Sequence, residues 1–131
     1  MNFSIQVPYV TKEDLTCRCG CGRFNIDTNF LLRFLGFRID FGKPLTITCG
    51  GRCVKHNKAV GGVTTSLHQC ETKKATAFDV SAGTQSDNEK LYVSACISGL
   101  FNEVEWHKTD GLNFVHLGWD AKQVGNDYKT I

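Results

Sequence analysis

Long apolar runs are missing from this chain, and its net charge is low. No window of about 18 apolar residues exists, so we expect no membrane-spanning helix. The formal charge of +2 is too small to indicate a nucleic acid partner. Residues 1–8 lack the basic start and the apolar core of a signal peptide, so we expect synthesis in the cytoplasm without a leader.

The composition that is present is that of an ordinary globular protein. Apolar residues make up 41% of the 131 residues and charged residues make up 21%, which suits one compact core. Repeats and low-complexity segments are not evident. The sequence therefore predicts a single domain over residues 1–131, and we expect a monomer.

Two segments show the apolar spacing of helices. The first helix is predicted over residues 27–38, with Asn25 or Asp27 as its N-cap. The second is predicted from a capping box at Ser86 to about Ser98. It should bury its apolar residues only in part: Leu91, Val93, Ala95 and Ile97.

Short apolar segments between turn residues predict strands. They lie at 45–48 and 77–80, and a final hairpin is predicted from 104–106 and 113–119. Residues after Asp120 are polar and are expected to be peripheral. The fold class predicted is α+β, with a small, mostly antiparallel sheet flanked by helices.

Two histidines and an aspartate have the composition of a catalytic zinc site. Such a site uses three protein ligands and keeps a fourth position open. His68 follows a glycine-rich turn region, whereas Asp79 and His116 each interrupt an apolar strand, where a polar side chain needs a partner. The pattern predicts that all three bind one zinc ion. A hydrogen-bonded Asp–His pair without a metal is the alternative.

Four motifs follow one another in the middle of the chain: GKPLTITCGGRC at 42–53, HN at 56–57, VGG at 60–62 and SxH at 66–68. Together they resemble the zinc D-alanyl-D-alanine carboxypeptidase-like family of peptidoglycan peptidases, relatives of the Hedgehog signalling fold. The resemblance extends from about Phe3 to Trp119, which is nearly the whole chain.

The resemblance implies a Hedgehog/D,D-peptidase-like fold, zinc as cofactor and a peptidoglycan peptide as substrate. It implies that His68, Asp79 and His116 are the zinc ligands. It also implies that Arg52 binds a substrate carbonyl or carboxylate and stabilises the oxyanion, a role that suits a guanidinium with several donors and a permanent charge. A surface salt bridge is the alternative for Arg52.

The chain departs from the family pattern at two places. His68 and Asp79 are eleven residues apart, where relatives have seven, and Ala75 occupies the place of an expected glycine. The segment 69–74 therefore resembles a loop insertion, which costs little if its ends stay anchored. Gly118 stands where many relatives have an aspartate, and we expect this change to affect substrate orientation more than metal binding.

Hydrolysis also needs a base that accepts the proton of the attacking water and passes it to the leaving amine. Relatives commonly draw this group from the segment before the last histidine, where this chain has Glu105, His107 and Asp110. Asp110 is our first choice and Glu105 the second. The alternative for Asp110 is a purely structural turn, since Asp110-Gly111 is a turn signature.

The seven cysteines are too few for a disulfide scaffold of this length. Cys17, Cys19 and Cys21 form a tight cluster that could bind a structural zinc with another cysteine such as Cys53, or could pair as disulfides. Related wall peptidases often carry a similar Cys-x-Cys-Gly-Cys near the start, which implies a structural role for the cluster.

The function that the sequence predicts is a zinc peptidase acting at the bacterial cell wall as a carboxypeptidase or an endopeptidase. The lack of a leader fits a phage lytic or virion-associated enzyme. One alternative is an inactive zinc-containing binding module, as in the Hedgehog relatives. The other is a cysteine peptidase. Its nucleophile and base would come from Cys49, Cys53 or Cys70 with His56 or His68.

Overall fold

Four helices and five strands make up residues 9–131, the part of the chain that the structure, a computed structural model, describes. The prediction that residues 1–8 are not a signal peptide concerns residues outside this part. The helices are α1 (Lys12–Leu15), α2 (Thr28–Phe41), α3 (Val54–Ala59) and α4 (Gln85–Ser98). The strands are β1 (Thr46–Cys49), β2 (Ala77–Ser81), β3 (Glu103–His107), β4 (Phe114–Gly118) and β5 (Asp127–Thr130).

The strands form one sheet in the order β1-β2-β4-β3-β5. All neighbours pair antiparallel except β3 and β5, which are parallel. This confirms the predicted α+β class with a small, mostly antiparallel sheet. None of the helices in residues 9–131 has the length and apolar character needed to cross a membrane.

Alternation of side chains along the strands separates the sheet into an apolar face and a polar face. The apolar face belongs to the buried core: Ile47, Phe78, Val80, Val104, Trp106, Val115 and Leu117. The polar face carries the residues that alternate with these: Asp79, Glu103, Glu105, His107 and His116. The chemistry predicted from the sequence therefore lies on one side of the sheet and the hydrophobic core on the other.

Helix α2 packs its phenylalanines against the apolar face. The rings of Phe30 and Phe34 meet the ring of Phe78 edge to face, with centroids 5.0 and 5.1 Å apart. Asp27 caps this helix by accepting a hydrogen bond from the Phe30 amide at 2.9 Å, which confirms one of the two predicted caps. The helix continues beyond the predicted end to Phe41 and stops where Gly42 adopts a φ of +75°.

Helix α4 differs from its prediction at its start and in its buried face. Thr84, not Ser86, is the N-cap, since its hydroxyl accepts a hydrogen bond from the Asp87 amide at 3.0 Å. The apolar residues expected to be partly buried do not all face the core, and two are exposed: Val93 and Ile97. The buried Asn88 sets the orientation of the helix instead. Its side-chain oxygen accepts a hydrogen bond from the Ala82 amide at 2.7 Å, and its side-chain nitrogen donates to the Asn113 carbonyl at 3.2 Å.

The predicted hairpin of β3 and β4 is present, but it is not the last element of the fold. Strand β5 adds to the edge of β3, and the hydroxyl of Tyr128 donates a hydrogen bond to the Phe101 carbonyl at 2.9 Å. The residues after Asp120 thus lie at the edge of the sheet, and they include a strand that was not predicted. The short helices α1 and α3 were also not predicted.

Candidate metal centre

Three side chains converge on the polar face of the sheet. Asp79 Oδ1 lies 3.1 Å from His68 Nε2 and 3.0 Å from His116 Nδ1, and these two nitrogens are 3.2 Å apart. The structure thus brings together the three residues predicted as ligands, although they are separated by up to 48 positions in sequence.

Two of these side chains are fixed by strand pairing and the third by a loop. Asp79 on β2 and His116 on β4 are directly opposite each other in the antiparallel ladder, so their side chains point to the same face. His68 precedes β2, and its carbonyl accepts a hydrogen bond from the Arg52 amide at 2.7 Å. The loop that presents His68 is in this way tied to the segment after β1.

Each imidazole also has an acceptor on its outer nitrogen. His68 Nδ1 donates to the Gly50 carbonyl at 2.8 Å, and His116 Nε2 donates to Glu103 Oε1 at 2.5 Å. These bonds leave the inner nitrogens, Nε2 of His68 and Nδ1 of His116, directed at Asp79. Metal-binding histidines in proteins commonly have an outer partner of this kind. The donor set of two nitrogens and one carboxylate oxygen fits zinc.

The three side chains shift one another's pKa values strongly. Burial alone would lower the pKa of His68, but the Asp79 carboxylate outweighs it and raises that pKa to about 10. Burial likewise opposes the charged form of His116, whose pKa is nevertheless raised by its hydrogen bonds to Asp79 and Glu103. Burial would raise the pKa of Asp79, yet the charge of His68 holds it well below its usual range.

Access to the centre increases from His68 toward Glu103. The side chain of His68 is 3% exposed, those of His116 and Asp79 are 10% and 12% exposed, and that of Glu103 is 22% exposed. The ligand atoms are therefore held in a mostly dry environment that remains open on one side.

The segment 69–74, which resembles an insertion, is closed at its base and braced inside. The Thr76 amide donates to the Leu67 carbonyl at 2.8 Å, so the two ends of the loop are joined. The side-chain oxygen of Gln69 accepts from the Thr72 amide at 2.8 Å. The extra residues consequently leave the ligands on either side of the loop in register.

Gly118 occupies a tight position, where a side chain would require its neighbours to shift. A Cβ atom there would lie 2.9 Å from Leu67 Cδ1 and 3.3 Å from His116 Nε2. Glu103 is directly opposite Gly118 in the β3–β4 ladder, and its carboxylate occupies the outer nitrogen of His116. A carboxylate from the neighbouring strand therefore stands beside the histidine where the resemblance led us to expect an aspartate on the same strand.

Arg52 lies beside the centre and is held by a cysteine sulfur and an asparagine oxygen. Its Nε donates to Cys49 Sγ at 3.3 Å and its Nη1 donates to Asn57 Oδ1 at 3.0 Å. Within residues 9–131 no carboxylate forms an ion pair with it, so the alternative of a surface salt bridge is not what the structure shows. Gly62 allows this arrangement, because a Cβ there would be 2.2 Å from Asn57 Oδ1.

The three predicted bases are placed differently. Glu105 is directly opposite His116 on the polar face, and its carboxylate lies 3.1 Å from His107 Nε2 and 3.4 Å from Lys129 Nζ. Asp110 is exposed in the turn between β3 and β4, beyond the last paired residues, with a φ of +55°. The structure thus brings Glu105 and His107 to the face that holds the ligands, and it places Asp110 in the turn.

Cys49 is a further neighbour of the centre. Its Sγ lies 3.8 Å from His68 Nδ1 and belongs to a possible metal-binding group with His68 and Asp79. Burial opposes the thiolate of Cys49, but its contact with His68 gives it a lowered pKa. His68 Nδ1 is 1.0 Å nearer to the Gly50 carbonyl, at 2.8 Å, than to Cys49 Sγ, at 3.8 Å, so Nδ1 is engaged by the carbonyl and the opposite nitrogen, Nε2, faces Asp79.

Sequence reasoning missed Glu103, although a signal for it was present. Residues 103–107 read Glu-Val-Glu-Trp-His, in which polar residues occupy every second position. That alternation places Glu103 on the same face as Glu105 and His107.

A family model described as peptidase M15 matches residues 8–118. No curated protein matches the chain significantly.

Proposed function

The chain belongs to the peptidase M15 family, and on this premise we propose that it is a zinc metallopeptidase that cleaves a peptide bond in bacterial peptidoglycan. The observation that carries the proposal is the convergence of His68, Asp79 and His116, whose inner atoms lie within 3.2 Å of one another. Membership of a peptidase family supports the reaction class, and the donor set supports the metal.

His68 Nε2, Asp79 Oδ1 and His116 Nδ1 would hold the zinc. When bound, zinc supplies a Lewis acid that polarises a carbonyl and lowers the pKa of water. Glu103 keeps the Nε2 proton of His116 and so directs Nδ1 inward, while the Gly50 carbonyl does the same for His68 through its Nδ1.

Arg52 would bind the substrate. Its guanidinium is fixed by Cys49 and Asn57 and its charge is not neutralised by a carboxylate within residues 9–131. A guanidinium in such a position can hold a carboxylate of the stem peptide or the oxygen on which negative charge develops.

Glu105 would move the proton. As the water oxygen forms a bond to the carbonyl carbon, its proton passes to the Glu105 carboxylate, and it then passes to the amine nitrogen when the C–N bond breaks. Glu105 is favoured over Asp110 because it lies opposite His116 on the same face. His107, 3.1 Å from Glu105, orients that carboxylate.

The setting that we propose is the bacterial cell wall, reached by a phage lytic or virion-associated route. Cleavage as a D,D-carboxypeptidase or as an endopeptidase would use the same three ligands and the same arginine. The products distinguish them, because a carboxypeptidase releases a single amino acid and an endopeptidase opens a cross-link.

The test is release of free amino groups from purified peptidoglycan, with zinc content measured on each sample. We expect release by the zinc-loaded protein, and none by the chelated protein or by His116→Ala, which should also lose the zinc of this centre. Cys96→Ser serves as a matched control on α4 and should behave as the wild type. Zinc bound without release from several wall types would contradict the proposal and favour a binding module.

A cysteine peptidase is the second candidate, because Cys49 Sγ lies 3.8 Å from His68 Nδ1. The two mechanisms give opposite results for Cys49→Ser. A zinc peptidase should keep its zinc and most of its turnover in this variant. A cysteine peptidase would lose its nucleophile and its activity in this variant, and chelation would not affect the activity of the wild type.

A further inference from the structure

Four cysteines away from the candidate metal centre bring their sulfur atoms to one point. The sulfurs of Cys17, Cys19, Cys21 and Cys53 all lie within 4.8 Å of one another. Cys19 Sγ is 3.5 Å from Cys17 Sγ and 3.6 Å from Cys53 Sγ. A tetrahedral zinc with Zn–S bonds of about 2.3 Å has sulfurs about 3.8 Å apart. The separation in a disulfide is only about 2 Å.

The path of the backbone explains how three cysteines in five residues share one point. The Cys17 amide donates to the Arg23 carbonyl at 2.7 Å, which closes residues 17–23 into a compact loop. Gly20 and Gly22 have φ values of +88° and +83°, a conformation that other residues adopt only with strain. The two glycines therefore permit the turns that direct the sulfurs inward.

The sulfurs also accept backbone hydrogen bonds. The Cys53 amide donates to Cys17 Sγ at 3.3 Å, and the His56 amide donates to Cys53 Sγ at 3.3 Å. Amide donors favour the charged form of an acceptor, and a thiolate is the form that binds a metal.

Positive side chains stand next to this group. Arg23 and Lys55 line a cavity of about 530 Å³ beside Cys19, Cys21 and Cys53; Glu71 also lines it, 3.8 Å from Arg23, so the two basic side chains outnumber this carboxylate. Four thiolates with one divalent cation carry a net charge of −2, so basic neighbours stabilise the filled state. Cys17 and Cys53 are buried and Cys19 and Cys21 are exposed, which leaves a route for the metal to enter.

We propose that Cys17, Cys19, Cys21 and Cys53 bind a second zinc ion as a closed, structural tetrathiolate site. One ion satisfies all four sulfurs at the separations observed, and it leaves Cys49, Cys70 and Cys96 outside the site. This inference does not depend on the proposed peptidase function, because its four ligands are separate from the residues to which we assign the reaction.

The second zinc would connect the loop after α1 to the start of α3. Cys53 is the N-cap of α3 and directly follows Arg52, which lies beside the candidate metal centre. A metal that fixes Cys53 therefore fixes the backbone that carries the arginine. Structural zinc sites contribute folding free energy in this way.

The experiment is metal analysis by native mass spectrometry of the protein purified with zinc. We expect two zinc ions in the wild type, one in Cys21→Ser, one in His116→Ala and two in the control Cys96→Ser. Because Cys21→Ser and His116→Ala each remove a different ion, failure of this inference is distinguishable from failure of the proposed function. Unchanged zinc content in Cys21→Ser, or iron in its place, would overturn the inference.

Two measurements on the wild type cover the case in which Cys21→Ser does not fold. Cobalt substitution should give the intense sulfur-to-metal charge-transfer absorption of a thiolate site. Thiol titration of the denatured, chelated protein without reductant should find all seven cysteines free. Fewer free thiols would show that the cluster forms disulfides, and this would refute the zinc site.

Discussion

The two groups of metal-ligating side chains differ in the elements that support them. The His/Asp centre draws two ligands from paired strands in the middle of the sheet, β2 and β4. The cysteine group draws three ligands from a loop with two glycines of positive φ and the fourth from the cap of a six-residue helix. The ladder of paired strands supports the first group without a metal, whereas the loop of the second group is closed by a few hydrogen bonds.

The difference in supporting elements indicates different roles for the two groups. A site on paired strands keeps its geometry with an exchangeable position, which catalysis needs. A site made from loops supplies all four ligands and is itself the framework for its surroundings. On the two proposals, the centre on the sheet would hold the metal that acts in catalysis, and the cysteine group would hold a metal that stabilises its surroundings.

The largest effect should come from a change that removes turnover and leaves both groups intact. Glu105→Gln keeps the shape of the side chain but removes the proton acceptor, so we expect kcat to fall by roughly 10²–10⁴-fold with zinc content unchanged. Steady-state kinetics on a soluble wall peptide measures this. Asp110→Asn is the matched variant and should stay active; if it loses turnover instead, Asp110 is the base.

Acidity should act on the His/Asp centre through its histidines. The folded-state pKa of His68 is about 10 against an ordinary 6.5, so without metal its stabilising contribution is complete below 6.5 and is lost as pH rises through about 10. Zinc requires the deprotonated nitrogen, so its affinity should rise with pH, by about tenfold per pH unit for each proton displaced.

We therefore expect the increase in Tm caused by zinc at this centre to grow from about pH 6 to about pH 9. Thermal unfolding of Cys21→Ser with and without zinc isolates the His/Asp centre, and His116→Ala provides the reference for its loss. An increase in Tm that does not change with pH would contradict the protonated state that we assign to the metal-free histidines.

A smaller effect is expected from the outer partner of a ligand. Glu103→Gln removes the carboxylate that accepts from His116 Nε2, and the loss of such a partner typically weakens metal affinity about 10–100-fold. Competition with a zinc-binding dye measures the change. Glu103→Asp should recover part of the affinity, and the cysteine group should keep its zinc in both variants. An unchanged affinity would mean that Glu103 does not orient His116.

Much of the fold could be predicted, because short apolar segments between turn residues indicated β2, β3 and β4. Those strands carry Asp79 and His116, so the sequence also predicted the polar positions that meet. Strand β5 was missed because its pairing with β3 is nonlocal, and its polar residues suit an edge strand that faces water. The face of α4 was misjudged because a buried asparagine, rather than its valine and isoleucine, orients the helix.

The site was less predictable in its details than in its ligands. Whether a carboxylate can act as the base depends on its position in the β3–β4 ladder, which the distance in sequence from His116 does not reveal. Asp110 is nearer to His116 in sequence, yet Glu105 is the residue directly opposite His116. Cys53 was named from the sequence as an example of a fourth cysteine, but only the folded chain selects it over the other cysteines, because its approach to the cluster at 17–21 is nonlocal.

The segment from Cys49 to Cys53 serves three neighbours in succession. Its Gly50 carbonyl holds His68, its arginine faces the metal centre and its last cysteine joins the sulfur cluster. Each added residue lengthens an extended chain by about 3.3 Å. One insertion in this segment would therefore shift at least one of these groups away from its partner by more than a hydrogen bond tolerates. The loop at 69–74 accommodates extra length, whereas this segment acts as a spacer whose length cannot vary.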